Sequence, residues 1–330
     1  YSDNISDWGL RWIDTPLQGT GTNPIKDFNY FRRVRDIFRK EHPDIALAFT
    51  IKSNIYASLA GSFTKTPVIC NVSGLGTVFL VKGFTGKVAM NLYRLAFRRS
   101  SFVFFQNKDD RDLFLSHVQI ADKRIGLVPG SGIDLDQFTV TPQPKNTQIK
   151  FLMIARVIVE KGVREFAEAA QEFKNDDRVK FTLVGRLDEG HARSISKSEL
   201  DTWVPEGTLE YLPHSDQITD MISQADALVL PSYREGTPRT LLEGAAMGRP
   251  LLPTRVAGCQ EVVKDGINGF LFEVKDAKSL AQKIRLFMAL DHNERQEMGA
   301  NSRRLAEEVF DEKKVIDIYD QTIRRIIRPA

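Results

Sequence analysis

Short apolar runs alternate along the chain with longer stretches in which apolar residues recur every three or four positions. Phe28, Phe31, Val34, Ile37 and Phe38 keep the helical spacing, with Asp27 placed to cap that helix and Pro43 to end it. The runs at 44–50 (DIALAFT), 67–72 (PVICNV), 101–106 (SFVFFQ) and 124–128 predict buried strands. The periodic stretches at 54–62, 83–99 and 108–115 predict the helices between them. Residues 139–147 (TVTPQPKNT) hold two prolines and no period, the composition of an interdomain linker. The alternation then restarts, with strands at 149–155, 179–185, 209–212, 227–231 and 250–254. Helices are predicted at 163–173, 218–223, 239–247, 277–290 and 294–309. Continuous apolar strands between helices imply parallel sheets covered on both faces. The expectation is an α/β protein of two doubly wound domains, 1–140 and 141–310, with 311–330 a C-terminal helix crossing back to the first domain. Ligands of such sheets bind beyond the carboxyl ends of the strands, so a cleft between the two domains is the expected site.

Length agrees, since 330 residues suit two domains of about 150 each. A composition of 42% hydrophobic and 27% charged residues is that of an ordinary globular protein. Cys70 and Cys259 stand far apart and outside any CxxC pair, and the five histidines form no metal motif. The thiols therefore read as idle, metal is expected to be absent, and the usage suits a reducing, cytoplasmic compartment. No window approaches the ~18 consecutive apolar residues of a membrane span, and no signal peptide is evident. The chain opens at Tyr1 in what reads as the middle of a domain. Its net charge of +3 is uneven: residues 1–140 carry 18 Lys and Arg against 13 Asp and Glu, the remainder 28 against 30. A basic first half suits an anionic partner, although a solvated mixed surface accounts for it equally well. Nucleic acid is not expected, because no basic-aromatic reader motif occurs.

Three stretches carry candidate chemistry. At 155–162 (ARVIVEKG), Arg156 follows a strand and Lys161 opens a helix, where fork, point charge and helix dipole could together seat a diphosphate. Surface cations beside a loop are also common. At 231–248 (PSYREGTPRTLLEGAAMG), Glu235 lies in a loop and Glu243 a turn into the next helix. Carboxylates accept paired hydrogen bonds from sugar and ribose hydroxyls, and Gly236-Thr237-Pro238 lets the helix start close to a ligand. A solvated loop acid is the plainer account of Glu235, and Leu241 and Leu242 read as helix core. At 256–270 (VAGCQEVVKDGINGF), a glycine loop precedes Glu261, expected at the start of a short helix, with turn signals behind it.

In this order the three stretches resemble the donor-binding domain of the retaining glycosyltransferases of the large fourth sequence family, whose architecture is GT-B. The match is close over 124–310 and covers the N-terminal half in outline. It implies two Rossmann-like domains facing a central cleft, with the first domain truncated. By that resemblance Arg156 and Lys161 hold the donor diphosphate and Glu235 contacts the transferred sugar, these three being the catalytic set. Gly185 and Arg186 pass the base and ribose. Gly236, Thr237 and Pro238 give backbone contacts, Arg239 and Leu242 belong to the same donor-binding helix, and Glu243 holds the ribose. The segments at 42–61, 152–166 (LMIARVIVEKGVREF), 231–250 and 257–263 (AGCQEVV) are similar to bacterial enzymes that extend polyprenyl-diphosphate-linked saccharides for capsule and O-antigen. Two departures stand out. The family's first strand and glycine-rich loop are missing, and its histidine after the PVICNV strand is replaced by Ser73, Gly74, Leu75 and Gly76. Ser73, Gly74 and Gly76 are then candidates for an acceptor or sugar loop.

The resemblance implies a UDP-sugar donor, a lipid-linked saccharide acceptor, no cofactor and no metal, the two cations meeting the charge of the leaving UDP. The lack of need for a metal fits an Asp-x-Asp cluster that reads as missing. Lys82, Lys87, Arg94, Arg98 and Arg99, beside Phe79, Leu80, Val81 and Phe84, suit an anionic membrane surface and a peripheral place on the inner face of the plasma membrane. The same pattern fits a domain helix with a charged outer face. A UDP-sugar 2-epimerase and a non-catalytic nucleotide-sugar-binding relative are the alternatives.

Overall fold

The computed structural model describes residues 5, 7–17, 23–75, 84–145, 147–187, 193–204 and 207–327, with the backbone alone for 84–89. Lys82 and Gly76 lie outside the described residues, as does the 79–83 part of the proposed membrane stretch. The chain divides into two compact units. The first comprises Tyr1–Phe105, Asp112–Gly126 and Gln321–Ala330, the second Gln106–Arg111 and Leu127–Asp320.

The first unit is built on a sheet of order β1-β2-β3-β4, formed by β1 (Ala46–Phe49), β2 (Val68–Val72), β3 (Phe102–Phe105) and β4 (Ile125–Leu127). β2 runs parallel to both β1 and β3. Helix Pro24–Glu41 precedes β1, and helices Ile51–Thr64, Phe84–Phe97 and Lys108–Leu115 lie in the β1–β2, β2–β3 and β3–β4 connections. The cap of the first helix differs from the expectation. Asn23, not Asp27, accepts from the amides of Ile25 and Lys26, and Pro24 then occupies the first turn, where no amide is needed. Asp27 lies in that turn and pairs with Lys52 at 2.8 Å. The apolar positions meet in an aromatic cluster, with Tyr93, Phe97 and Phe105 each 4.9–5.6 Å from the Phe114 ring.

The second unit holds a fully parallel sheet of order β7-β6-β5-β8-β9. Its strands are β5 (Ile149–Ile154), β6 (Val179–Val184), β7 (Glu210–Leu212), β8 (Ala227–Leu230) and β9 (Leu251–Pro253). Side chains of β5 alternate between two cores. Phe151 and Met153 pack with Phe166, Phe181 and Phe287 on one face, and Leu152 packs with Leu228, Leu241 and Leu242 on the other. Burial on both faces is why these strands read as unbroken apolar runs. The order reverses between β5 and β8, which makes a crevice at their carboxyl ends.

Two expectations need revision. The polar stretch 139–147 falls in the second unit and is pinned there, because buried Arg249 donates to the carbonyls of Thr141 and Pro142, while buried Gln143 donates to Asp226. Residues 127–140, expected in the first domain, also fall in the second unit, where Phe138 is core and Ile133 bonds Phe310. Helix Glu312–Ile327 starts in the second unit, and from Gln321 onward it belongs to the first, where Arg325 lies over the Phe102 ring at 5.0 Å.

Candidate active site

β5 ends at Ile154 and delivers Arg156 to the switch point. Arg156 is exposed, and its guanidinium has no side-chain partner among the described residues. A single 3-10 turn, Val159–Lys161, then brings the Lys161 ammonium beside the loop that follows β8. There Lys161 donates to Glu235 at 2.5 Å. Both side chains are largely buried, 23% and 11% exposed. The two residues stand 74 positions apart in sequence, and the parallel pairing of β5 with β8 is what joins them.

The loop carrying Glu235 is held from every side within its own unit. Gly162 (φ 73) lies so close to it that a Cβ there would sit 2.0 Å from the Pro231 carbonyl oxygen. A Cβ on Gly258 would sit 1.4 Å from that of Gly236. Tyr233 donates to Glu165 at 2.6 Å, and Thr254 to the Ser232 carbonyl. Burial, then the Glu165 bond, pushes the Tyr233 hydroxyl well up. Gly258 and Tyr233 were legible as residues in the sequence, but nothing local to them told which backbone they would meet.

Helix Arg239–Ala246 starts directly after the loop with no side-chain cap at Pro238, which leaves its first amides for a ligand. Glu243 pairs with Arg239 at 3.1 Å on this helix. Burial pushes the Glu243 carboxyl above its ordinary 4.5, and Arg239 pulls it back only partly. Leu242, expected on the donor-binding helix, has its side chain fully buried in the core. The Gly236 carbonyl accepts from Asn107 and the Thr237 amide donates to Gln106, so these backbone groups already have protein partners. Gly185 and Arg186 follow β6. Tyr211 holds the Gly185 carbonyl at 2.9 Å, and Arg186 is exposed beside Arg156, its carbonyl accepting from Val157. Cys259 is buried behind the Lys161–Glu235 pair, and burial raises its thiol, with Glu235 adding to the rise. Glu261 lies near the end of helix Ala257–Val262, not at its start, and is exposed.

Against the expectation that none occurs, the sequence holds two Asp-x-Asp triplets, Asp110-Arg111-Asp112 and Asp134-Leu135-Asp136. Asp134 accepts from the amides of Asp136 and Gln137, which hold its carboxyl low, and Asp136 pairs with Lys313. These carboxylates are engaged in a turn and a surface pair. Among the described residues no cluster of His, Cys, Asp and Glu could hold a metal ion.

Ser73 and Gly74 follow β2 and belong to the first unit. That unit also carries a groove of about 1100 Å³ between residues 11–17 and helix Pro24–Glu41. Lys26, Arg32, Arg33 and Lys40 line it without side-chain partners among the described residues, over a floor that includes Ile13 and Leu17. Asp36, held low chiefly by its Arg35 bond, also feels Arg32 and Arg39. Between Asp44 and Asp109 the sequence has no carboxylate and eight Lys or Arg. Of the expected membrane cations, Arg94, Arg98 and Arg99 are exposed, and Arg94 also donates to the His117 carbonyl. Among the described residues no helix is long and apolar enough to cross a membrane.

Two α/β units, the first with its described strands in sequential order and the second doubly wound with paired cation and carboxylates at its switch point, define a nucleotide-sugar-dependent glycosyltransferase of GT-B fold. The chain belongs to the family described as glycosyl transferases group 1, matched over residues 137–305, and residues 2–130 match a glycosyl transferase 4-like domain. It is 28% identical to the N,N'-diacetylbacillosaminyl-diphospho-undecaprenol alpha-1,3-N-acetylgalactosaminyltransferase of Campylobacter jejuni, over 99% of this chain and 90% of that protein. The UDP-Gal:alpha-D-GlcNAc-diphosphoundecaprenol alpha-1,3-galactosyltransferase of Escherichia coli is 23% identical over 86% of this chain and 76% of its own. Among solved structures, a Rickettsia africae glycosyltransferase superposes with a TM-score of 0.78 at 18% identity, covering 99% and 88% of the two chains. Anabaena HepE in complex with UDP-glucose gives 0.76 at 18% identity, covering 91% and 84%.

Proposed function

We propose that the protein transfers a hexose or N-acetylhexosamine from a UDP-sugar to a lipid-linked saccharide, with retention at the anomeric carbon and without a metal. The observation that carries this reading is the meeting of Lys161 with Glu235 at the β5–β8 switch point, next to unpaired Arg156. Arg156 and Lys161 neutralise the diphosphate as its bond to the sugar breaks, which is where cationic groups lower the barrier most. Lys161 has three donors and gives one to Glu235, leaving two for phosphate oxygens. Glu235 takes sugar hydroxyls, Glu243 the ribose, and Arg186 flanks the base. The acceptor hydroxyl attacks the face that UDP leaves, and its proton passes to the departing phosphate oxygen. The acceptor's diphosphate and the anionic membrane holding it suit the cationic groove and acid-free stretch of the first unit. The names of the Campylobacter and Escherichia relatives, both acting on diphospho-undecaprenol saccharides, favour this acceptor class.

The test is UDP release from a panel of UDP-sugars, with and without polyprenyl-diphosphate-linked saccharides, and the anomeric configuration of the product read by NMR. Excess chelator is expected to leave the rate unchanged. Arg156→Ala and Lys161→Ala should each lower turnover by about 10²–10³-fold. Near-wild-type rates in both variants would overturn the reading, and a 2-epimer formed without acceptor would replace it with epimerisation.

A further inference from the structure

Residues 106–111 follow β3, a strand of the first unit, yet they belong to the second unit. They lie against the loop that carries Glu235. Asp110 is 3% exposed and accepts from Arg234, the neighbour of Glu235, at 2.5 Å. Asn107, also buried, donates its amide to the Gly236 carbonyl at 3.2 Å and to Asp110 at 3.3 Å. Its side-chain oxygen accepts from the Asp110 amide at 2.7 Å, the position of a helix N-cap. Gln106 takes the Thr237 amide at 3.3 Å, and Thr237 returns a bond from its hydroxyl to the Gln106 carbonyl. Four consecutive loop residues from Arg234 include Glu235, and three of them are bonded by this one segment.

A buried carboxylate whose one ion-pair partner shown is a loop arginine is a costly feature to keep for shape alone. Loop residues with a glycine among them have much conformational freedom to lose, so cross-bonds of this kind decide which way the neighbouring carboxylate points.

We propose that Asn107 and Asp110 are positioning residues for the donor-sugar loop. Through Arg234 and Gly236 they set the direction in which Glu235 is presented, and thereby the rate of the sugar-transfer step. The proposal rests on the reading of this loop as the one that contacts the transferred sugar. Both residues act through the loop that carries Glu235, so the effect is expected on the sugar half of the substrate and not on the nucleotide half.

The test uses the full chain with Asp110→Asn, Asn107→Ser (which keeps a cap while losing the reach to Gly236), Arg234→Gln and Arg234→Lys. Four quantities are measured: thermal midpoint, affinity for UDP, kcat with a UDP-sugar, and hydrogen exchange at the Thr237 amide. Asp110→Asn, Asn107→Ser and Arg234→Gln are expected to keep UDP affinity while kcat falls about ten- to a hundredfold. Exchange at Thr237 should quicken by about tenfold or more in the same variants. Arg234→Lys, which keeps the charge, should recover most of the rate. Unchanged exchange at Thr237 overturns the proposal whatever the activity. So does a kcat loss matched by an equal loss of UDP affinity and a lowered midpoint, which is the signature of a merely structural role. If the wild type turns over no UDP-sugar, the donor reading fails, and with it the positioning role, although the exchange data still show whether the bonds hold the loop.

Discussion

Glu243, the residue proposed to hold the ribose, shows at the residue scale how a carboxylate is kept at a cost. Its side chain is 14% exposed, and burial raises its carboxyl above 4.5 against the pull of Arg239. Between 4.5 and the raised value the folded protein holds more protons than the unfolded chain. Stability therefore falls as pH rises through that window, and the loss is complete above it. Glu243→Gln should then melt higher than wild type at neutral pH, with the difference fading as pH drops below 4.5. Its affinity for UDP should weaken by about ten- to a hundredfold, the worth of a hydrogen bond to a charged acceptor. A variant with unaltered melting and unaltered UDP binding would show that Glu243 does neither job. At this scale the types and spacing of Arg156, Lys161, Glu235 and Glu243 were readable in the chain, because each chemistry needs a particular side chain. Which partner each would take was not readable: Lys161 meets Glu235, and Leu242 faces the core.

Elements came out within a residue or two at most positions, since strand and helix periods are local properties. Their neighbours were another matter. Arg249 follows the turn after helix Arg239–Ala246 and is fully buried, donating to carbonyls of Thr141, Pro142, Ile222 and Ser223. Burial lowers its guanidinium to about 10. In the sequence it is one arginine between two turn formers, and the stretch it pins reads as a free linker. Arg249→Ala strands several carbonyls at once, so a loss of at least ~3 kcal/mol is expected, or a midpoint lower by roughly 6–12 °C. A midpoint within a degree or two of wild type would mean that 139–147 does not depend on this residue for its place. The segment 106–111 makes the same point from the other side: it reads as the start of a helix and acts as a support for a loop some 125 residues away.

For the whole molecule the charge asymmetry seen in composition takes a location. Five cations of the first half, Arg11, Lys26, Arg32, Arg33 and Lys40, line a groove of the first unit together with Asp36 and Glu41, and exposed Trp8 and Trp12 belong to that unit. The protein is expected to float with vesicles containing anionic lipid, less so as salt rises, and not with neutral vesicles. Replacing Lys26 and Arg33 by Gln should lower partitioning roughly thirtyfold, at ~1 kcal/mol per cation near the surface. Equal flotation of the double variant would remove this groove from membrane or acceptor binding.

Taken alone, the order of residues determined the α/β class, the two parallel sheets and the identity of the groups proposed for the donor site, because period, apolar runs and side-chain chemistry are carried by neighbours in the chain. Tertiary structure alone decided the pairing of Lys161 with Glu235, the burial that shifts Glu243, and the hold of Asn107 and Asp110 on the loop that carries Glu235. These depend on distances between residues remote in sequence, and only the packed sheet sets those distances.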